Sequence, residues 1–151
     1  MGFELLDNQV LLGTLISWAL AQLLKLPLEY LRTRKWNWAL LLRAGGMPSS
    51  HSALIASTTH GIGLVAGFDT PLFALGVAIS MIVIYDATGI RRQAGKHAEV
   101  INTIMRDLLE GQPLRHRDEL IEVLGHSPAE AIAGLLLGMG VAQVLDAVIG
   151  S

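Results

Sequence analysis

The chain has 151 residues, of which 52% are hydrophobic and 16% charged, with no cysteine and a formal net charge of −2. This length suits a single domain, residues 1–151, and soluble domains usually carry about 25% charged residues. The mean hydropathy of +0.49 therefore indicates helices that face lipid. The acidic balance argues against nucleic-acid binding, and the lack of cysteine excludes disulfides and thiolate metal sites.

Four apolar stretches, at residues 10–30, 50–67, 71–87 and 128–150, predict an all-α integral membrane bundle of about four spans. Only Phe68–Thr70 separates the second stretch from the third, so we expect these two to form a helical hairpin. A small soluble bundle of buried helices is the alternative. The opening "MGFELLDNQ" lacks the basic residues of a secretory signal, so we expect the first stretch to be retained.

The polar segment between the third and fourth stretches predicts helices of a different kind. From His97 to Glu110 the apolar residues recur at intervals of 3, 3, 1 and 3, typical of an amphipathic helix at the membrane surface. A short helix is expected over Arg117–Leu124. "SPAE" at Ser127–Glu130 has the form of a capping box and should begin the last span.

Gly134 and Gly138 form a G-x-x-x-G spacing in the last span. Small residues allow helices in lipid to approach closely. We expect this spacing to serve packing within one chain. A dimer interface, which would make the protein a subunit of a homo-oligomer, is the alternative.

All 11 Lys and Arg residues lie between positions 25 and 43 or between positions 91 and 117. The positive-inside rule assigns the membrane face that carries them to the cytoplasm and both termini to the opposite side. Packing of the hairpin should then bring Arg43 and His51 to the same membrane face as Arg91, Arg92 and His97.

The stretch "GGMPSSHS" predicts an anion site at the start of the second span. Two glycines and a proline form a turn, Ser49 or Ser50 caps the helix, and the free N–H groups of the first turn favour an anion. His51 in that turn can donate a proton to a departing oxygen. A simple cap beside a surface histidine is the alternative.

The stretch "RRQAGKH" after the third span adds two arginines, which bind phosphate bidentately, and His97, which can attack phosphorus. A basic cluster that only contacts anionic lipid is the alternative. Together, the two stretches predict one phosphate pocket with an acid and a nucleophile.

These motifs resemble those of the type 2 phosphatidic acid phosphatase and vanadium haloperoxidase superfamily. Pro48–His51 is similar to its P-S-G-H motif, with Ser50 in place of glycine, and Arg91, five residues and His97 keep the spacing of its third motif. "GGMPSSHSA", "YDATGIRRQAGKHAEVIN" and "GHSPAE" resemble more closely the divergent branch of small membrane proteins. This resemblance implies a protein of a bacterial inner membrane or a plastid membrane.

The resemblance also implies a hydrolase that needs no metal and no other cofactor. His97 would be the nucleophile, and His51 would protonate the leaving group. Cations and hydroxyls would hold the phosphate oxygens: Arg43, Ser49, Ser50, Arg91, Arg92 and Lys25. Ile101 replaces the aspartate that the family has four residues after the nucleophile. Another residue must therefore orient His97, and Asp86 is the first choice ahead of Glu99, Asn102 and Asp107.

We therefore expect a phosphatidic acid phosphatase-like core that releases phosphate from a lipid. The substrate classes are phosphatidic acid, phosphatidylglycerophosphate and isoprenyl phosphates or diphosphates. A non-catalytic binder of anionic lipids or phosphate, which has lost turnover, is the alternative. His60 is expected to be a packed, hydrogen-bonded residue in mid-span. His126 is expected to have a role at the helix start, and a ring that leans into the pocket is the alternative.

The positive-inside assignment predicts how single cysteines will be labelled in this cysteine-free chain. Thr70→Cys, between the second and third spans, should react with a membrane-impermeant maleimide on intact cells, whereas Gln93→Cys should react only after permeabilisation. The parent chain gives the background signal. The reverse labelling pattern would place the basic loops outside the cell.

Overall fold

The computed structural model describes residues 7–41, 45–108 and 125–150, and within these ranges it contains helices and no β-strand. A 3₁₀ turn at Trp38–Leu41 follows the first helix, and a π-helical turn at Asp86–Ile90 joins the third helix to the fourth. The α-helices are α1 (Gln9–Thr33), α2 (Ser50–Ala66), α3 (Pro71–Tyr85), α4 (Arg91–Leu108) and α5 (Pro128–Ile149).

Among the described residues, three helical segments are long and apolar enough to cross a membrane, which confirms the predicted all-helical membrane bundle. They are α1, α5 and the continuous run Pro71–Met105. The second predicted span is present as the helix α2, but α2 is not one of these three segments, because its 17 residues are fewer than the roughly 20 that usually cross a bilayer. Large aliphatic side chains on α1, α3 and α5 are exposed, as lipid-facing surfaces require.

Side chains at the predicted helix starts cap the helices. Asn8, Ser49, Thr70 and Ser127 each accept a hydrogen bond from a backbone N–H in the first turn that follows. The last of these is a complete capping box, as "SPAE" predicts. The hairpin between α2 and α3 is also confirmed, since the two consecutive helices pack against each other. Gly67 ends α2 with a φ of 105°, a conformation that favours glycine.

Helix α2 lies at the centre of the bundle and packs against α1, α3 and α5. Its contact with α5 is so close that a Cβ at Gly134 would overlap the carbonyl oxygen of Ser49. A Cβ at Gly138 would overlap that of Ala53. The prediction that the G-x-x-x-G spacing serves packing within one chain is therefore confirmed, because α2 covers that face of α5.

Hydroxyl and amide groups join the helices along the bundle. Thr59 and Ser80 bring their hydroxyl oxygens within 2.8 Å of each other between α2 and α3. Nε2 of His60 lies 3.1 Å from Oε1 of Gln143 on α5, so the predicted packed and hydrogen-bonded state of His60 is confirmed. Such bonds satisfy polar groups that have no water partner inside a bilayer.

The two ends of the bundle differ in chemistry. At one end, Nε2 of Gln9 donates to Oδ1 of Asp146 at 3.0 Å, which ties the start of α1 to the end of α5. At the other end lie the last turns of α1, the π-helical turn and the starts of α2 and α5, where Ser49 N donates to Glu130 O at 2.9 Å. This second end carries the predicted phosphate motifs, and its assignment to the cytoplasm stays a prediction.

Helix α4 confirms the predicted amphipathic helix but begins six residues earlier than His97. It continues directly from the π-helical turn because the chain from Tyr85 to Arg91 has no proline to stop it. Ile101, Ile104 and Met105 expose their side chains on α4. The predicted helix over Arg117–Leu124 lies outside the described residues.

Two glycine substitutions test the packing of α5 on α2. Gly138→Ala should lower the free energy of unfolding by about 1–3 kcal/mol, the usual cost of overpacking, because the added Cβ meets the α2 backbone. Gly140→Ala is the matched control, since a Cβ there meets nothing within 4 Å. It should be neutral or stabilising by up to about 1 kcal/mol through helix propensity. Unfolding in mixed detergent micelles, followed by circular dichroism, measures both, and equal stabilities would contradict the close α2–α5 contact.

Candidate functional site

The candidate site is built around the start of α2. Gly45 and Gly46 have φ values of 103° and 81°, so the turn before the helix uses conformations that favour glycine, as "GGMP" predicts. Ser49 is fully buried, and its Oγ accepts hydrogen bonds from the backbone N–H of Ser52 at 3.3 Å and from its hydroxyl at 3.1 Å. The Ser49 hydroxyl is thus occupied by capping, and the helix presents its first N–H groups beyond it.

A buried cation from α1 meets this helix start. Lys25 is 1% exposed, and its stem passes Gly46, where an added Cβ would lie 3.7 Å from Cδ of the lysine. Its Nζ donates to Oε1 of Gln22 and lies 3.4 Å from Oγ of Ser50. The carboxylate of Glu130 attracts the same ammonium group. A lysine is almost never fully buried without such partners, so this end of the bundle is organised around its charge.

The start of α5 contributes a histidine to the same region. Nδ1 of His126 lies 3.1 Å from Oε2 of Glu130, which also accepts from the backbone N–H of Ser127 at 3.1 Å. The rings of His126 and His51 are edge-on, with centroids 6.1 Å apart. The prediction of a role at the helix start holds for His126, but the structure also brings its ring beside His51.

The structure brings several of the predicted site residues together. Lys25, Ser49, Ser50 and His51 meet at the start of α2. Asp86 is half-buried in the π-helical turn, and the next residue, Ala87, accepts a hydrogen bond from the His126 backbone N–H at 3.0 Å. That bond places the turn beside His126.

The remaining predicted residues belong to α4 and to the loop before α2. His97 lies on α4 with an exposed side chain, and the ring of His51 contacts that of His126. Arg91 and Arg92 begin α4, but their side chains lie outside the described part of the chain. Arg43 also lies outside the described residues.

The sequence left a place for His126 in the pocket only as the alternative to a role at the helix start, because nothing in its spacing to the other motifs marks it. A local feature of the sequence nevertheless predicts where the His126 ring lies. A histidine directly before a capping box whose glutamate lies four positions further on is placed for an i,i+4 contact. That contact turns the ring back toward the helix start.

A family model described as "Divergent PAP2 family" matches residues 6–141, which include every residue of the site. The chain belongs to the divergent PAP2 family. This membership confirms the resemblance drawn from the "PSSH" and "RRQAGKH" motifs.

A curated relative extends the match along nearly the whole chain. The chain is 38% identical over 152 residues to "Uncharacterized membrane protein YuiD" of Bacillus subtilis (strain 168). The alignment covers 94% of this chain and 96% of the relative. No solved structure matches the chain. Membership of a membrane protein family agrees with the three apolar helical segments of the bundle.

The arrangement favours an oxyanion. The start of α2 directs backbone N–H groups and the positive end of the helix dipole toward the loop. The Lys25 ammonium lies beside Ser50, and two imidazoles stand next to each other at the same helix start. This combination of donors can bind a phosphate group and can supply a proton to it.

Two substitutions at Ser49 test its role as a cap. Ser49→Ala should lower the free energy of unfolding by about 1 kcal/mol, because the N–H of Ser52 loses its acceptor. Ser49→Gly should cost only about a few tenths of a kcal/mol, since glycine is tolerated at this position. Chemical unfolding of both variants in detergent gives the comparison. An equal loss in the two variants would assign the effect to something other than capping.

Proposed function

We propose that the protein is a membrane-embedded, metal-independent lipid phosphate phosphatase. The observation that supports this most directly is the buried Lys25, whose Nζ meets Ser50 at the start of α2. A cation held at a helix start, with an imidazole one residue further on, suits a phosphate group better than a neutral ligand. Membership of a phosphatase-related family supports the same assignment.

In the proposed reaction His97 attacks phosphorus with a ring nitrogen. The N–P bond forms as the P–O bond to the lipid breaks, and His51 gives a proton to the departing lipid oxygen. Water then attacks the phosphohistidine and gives a proton to His51 as the N–P bond breaks, so that phosphate is released and both histidines return to their starting states. Lys25, Arg43, Arg91 and Arg92 would neutralise the charge on the phosphoryl oxygens, and Ser50 with the free N–H groups of the first turn of α2 would donate hydrogen bonds to them. Ser49, whose N–H is bonded to Glu130 and whose hydroxyl is bonded to Ser52, would contribute by capping that turn.

The orientation of His97 in this scheme requires an acid, and Asp86 is our proposal. It lies five residues before Arg91 in the π-helical turn that leads into α4. A carboxylate bonded to one ring nitrogen fixes the tautomer, so that the other nitrogen carries the lone pair. In this proposal the site faces the cytoplasm, as the positive-inside rule predicts.

A lipid substrate is favoured by the surroundings of the site. The polar helix starts lie at one end of helices whose outer faces are apolar, so a headgroup can enter while its tail stays in the bilayer. An apolar groove of about 440 Å³ runs between α1 and α5, from Leu20 and Leu136 toward the other end of the bundle. Phosphatidic acid, phosphatidylglycerophosphate and isoprenyl phosphates all have this division into head and tail.

A second candidate function is the binding of anionic lipid or phosphate without turnover. The observation that favours it is Ile101, which takes the place of the family's aspartate and is 46% exposed. His97 on the same helix is exposed as well. In this alternative Lys25 and the start of α2 hold the headgroup, and no covalent intermediate forms.

Histidine substitutions test the hydrolase proposal. Purified protein in nanodiscs should release phosphate from at least one lipid of a panel of phosphatidic acid, phosphatidylglycerophosphate and isoprenyl phosphates. His97→Ala and His51→Ala should each lower the rate at least 100-fold, since removal of a nucleophile or a general acid typically costs this much or more. His60→Gln, in mid-span, is the matched control and should retain activity.

The outcomes distinguish the two candidates. Phosphate release that survives His97→Ala would remove His97 from the reaction. Binding of the lipids by the parent chain, with no release from any of them, would favour the binder. Lys25→Met should abolish binding in either case, while the exposed Lys35→Met should not.

A further inference from the structure

His126 is buried, and one of its two ring nitrogens has no hydrogen-bond partner in the described part of the chain. It is 4% exposed, Nδ1 contacts Glu130 at 3.1 Å, and Nε2 has no hydrogen-bond partner in the described part of the chain. Buried polar atoms almost always have a partner, so an unpartnered imidazole nitrogen calls for a ligand or a role. No part of the proposed reaction uses this residue.

We propose that His126 is a further phosphate-binding residue of the site, oriented by Glu130, with Nε2 as the contacting atom. The proposal rests on the proposed function in one respect, namely that the site takes a phosphate group. The observation that supports the proposal is the contact between the ring of His126 and the ring of His51, which lies at the start of α2.

The contact with Glu130 determines which ring nitrogen of His126 is available to a ligand. A carboxylate accepts and cannot donate, so Nδ1 of His126 carries the proton in that contact. Nε2 is then the free end of the ring, and in the protonated ring it is an N–H donor. A histidine whose second nitrogen is held by a carboxylate is fixed in orientation, as in other sites where imidazoles bind ligands.

Backbone bonds keep the ring in position. The His126 N–H donates to the carbonyl of Ala87 at 3.0 Å, and the carbonyl of Glu130 accepts from Ser49 N at 2.9 Å. The first turn of α5 is therefore tied both to the π-helical turn and to the cap of α2. The ring is therefore held between two fixed elements, and Glu130, which orients it, also attracts the Lys25 ammonium.

The charges around the ring favour an anion over a metal ion. Glu130 places a negative charge at Nδ1, whereas Lys25 and the start of α2 are positive and would repel a metal ion. Within residues 7–41, 45–108 and 125–150, no three His, Asp or Glu side chains are placed to hold a metal ion. A phosphoryl oxygen, in contrast, accepts from an imidazolium, an ammonium and backbone N–H groups at the same time.

Two substitutions separate the ligand role from a structural one. His126→Asn keeps an amide near the position of Nδ1, which can still bond Glu130, and removes the group at Nε2. His126→Gln places an amide N–H near the position of Nε2. The dissociation constant for inorganic phosphate, measured by calorimetry on the full chain in detergent, should rise at least tenfold in His126→Asn and less in His126→Gln.

Nuclear magnetic resonance of the parent chain gives a readout that does not depend on any variant folding. With ¹⁵N-labelled histidine, addition of inorganic phosphate should shift the Nε2 resonance of His126 and leave that of His60 unchanged. Unchanged affinity in folded His126→Asn, or an Nε2 resonance that phosphate does not move, would overturn the proposal.

The failures of the two proposals can be told apart. If phosphate binds through His126 but no lipid phosphate is hydrolysed, the hydrolase fails and the assignment of His126 stands. If a lipid phosphate is hydrolysed and His126→Asn changes neither the rate nor phosphate affinity, the assignment fails and the hydrolase stands. A parent chain that binds no inorganic phosphate at all would overturn the assignment.

Discussion

The structure depends on the direct contact between the backbones of α2 and α5. At Gly134 and Gly138 the two helices approach so closely that no side chain fits between them. Dispersion contacts and hydrogen bonds, rather than a hydrophobic driving force, hold helices together in lipid, and both gain from short distances. The same approach brings Ser49 within hydrogen-bond distance of the Glu130 carbonyl, so the packing of the spans and the assembly of the polar end are one event.

At that polar end, charged and polar side chains are buried at the end of lipid-facing helices, where an unpaired polar group costs free energy. Nearly all of them have a hydrogen-bond partner. The Lys25 ammonium has Gln22 and Ser50, the Ser49 hydroxyl has Ser52, and Nδ1 of His126 has Glu130. Ionisable residues in membrane segments are rare and tend to be functional, because a purely structural role is met more cheaply by apolar residues. A lysine 1% exposed near the end of a span is hard to explain by packing alone.

The sequence predicted what is encoded locally. The length of the apolar stretches predicted the helices of the bundle, and Ser127 with Glu130 predicted the capping box. The spacing of Gly134 and Gly138 predicted close packing of the last helix within the chain. It did not predict the contact between the rings of His126 and His51. That contact depends on the distance between the axes of α5 and α2 and on their relative position, and the residue periodicity within a single helix carries no information about either. The place of His97 relative to the pocket stays a prediction for the same reason, since α4 contacts the rest of the bundle mainly through the π-helical turn.

The π-helical turn at Asp86–Ile90 has a geometric consequence for everything that follows it. An α-helix advances by about 100° per residue, since it has 3.6 residues per turn, and a π-helical turn accommodates one residue more than that repeat. Conversion of this turn to regular α-helix would therefore swing the azimuth of every α4 side chain by about 100° around the helix axis. The direction in which the imidazole at position 97 points is thus set by the backbone of these five residues. One of them, Ala87, accepts a hydrogen bond from the His126 N–H just before α5.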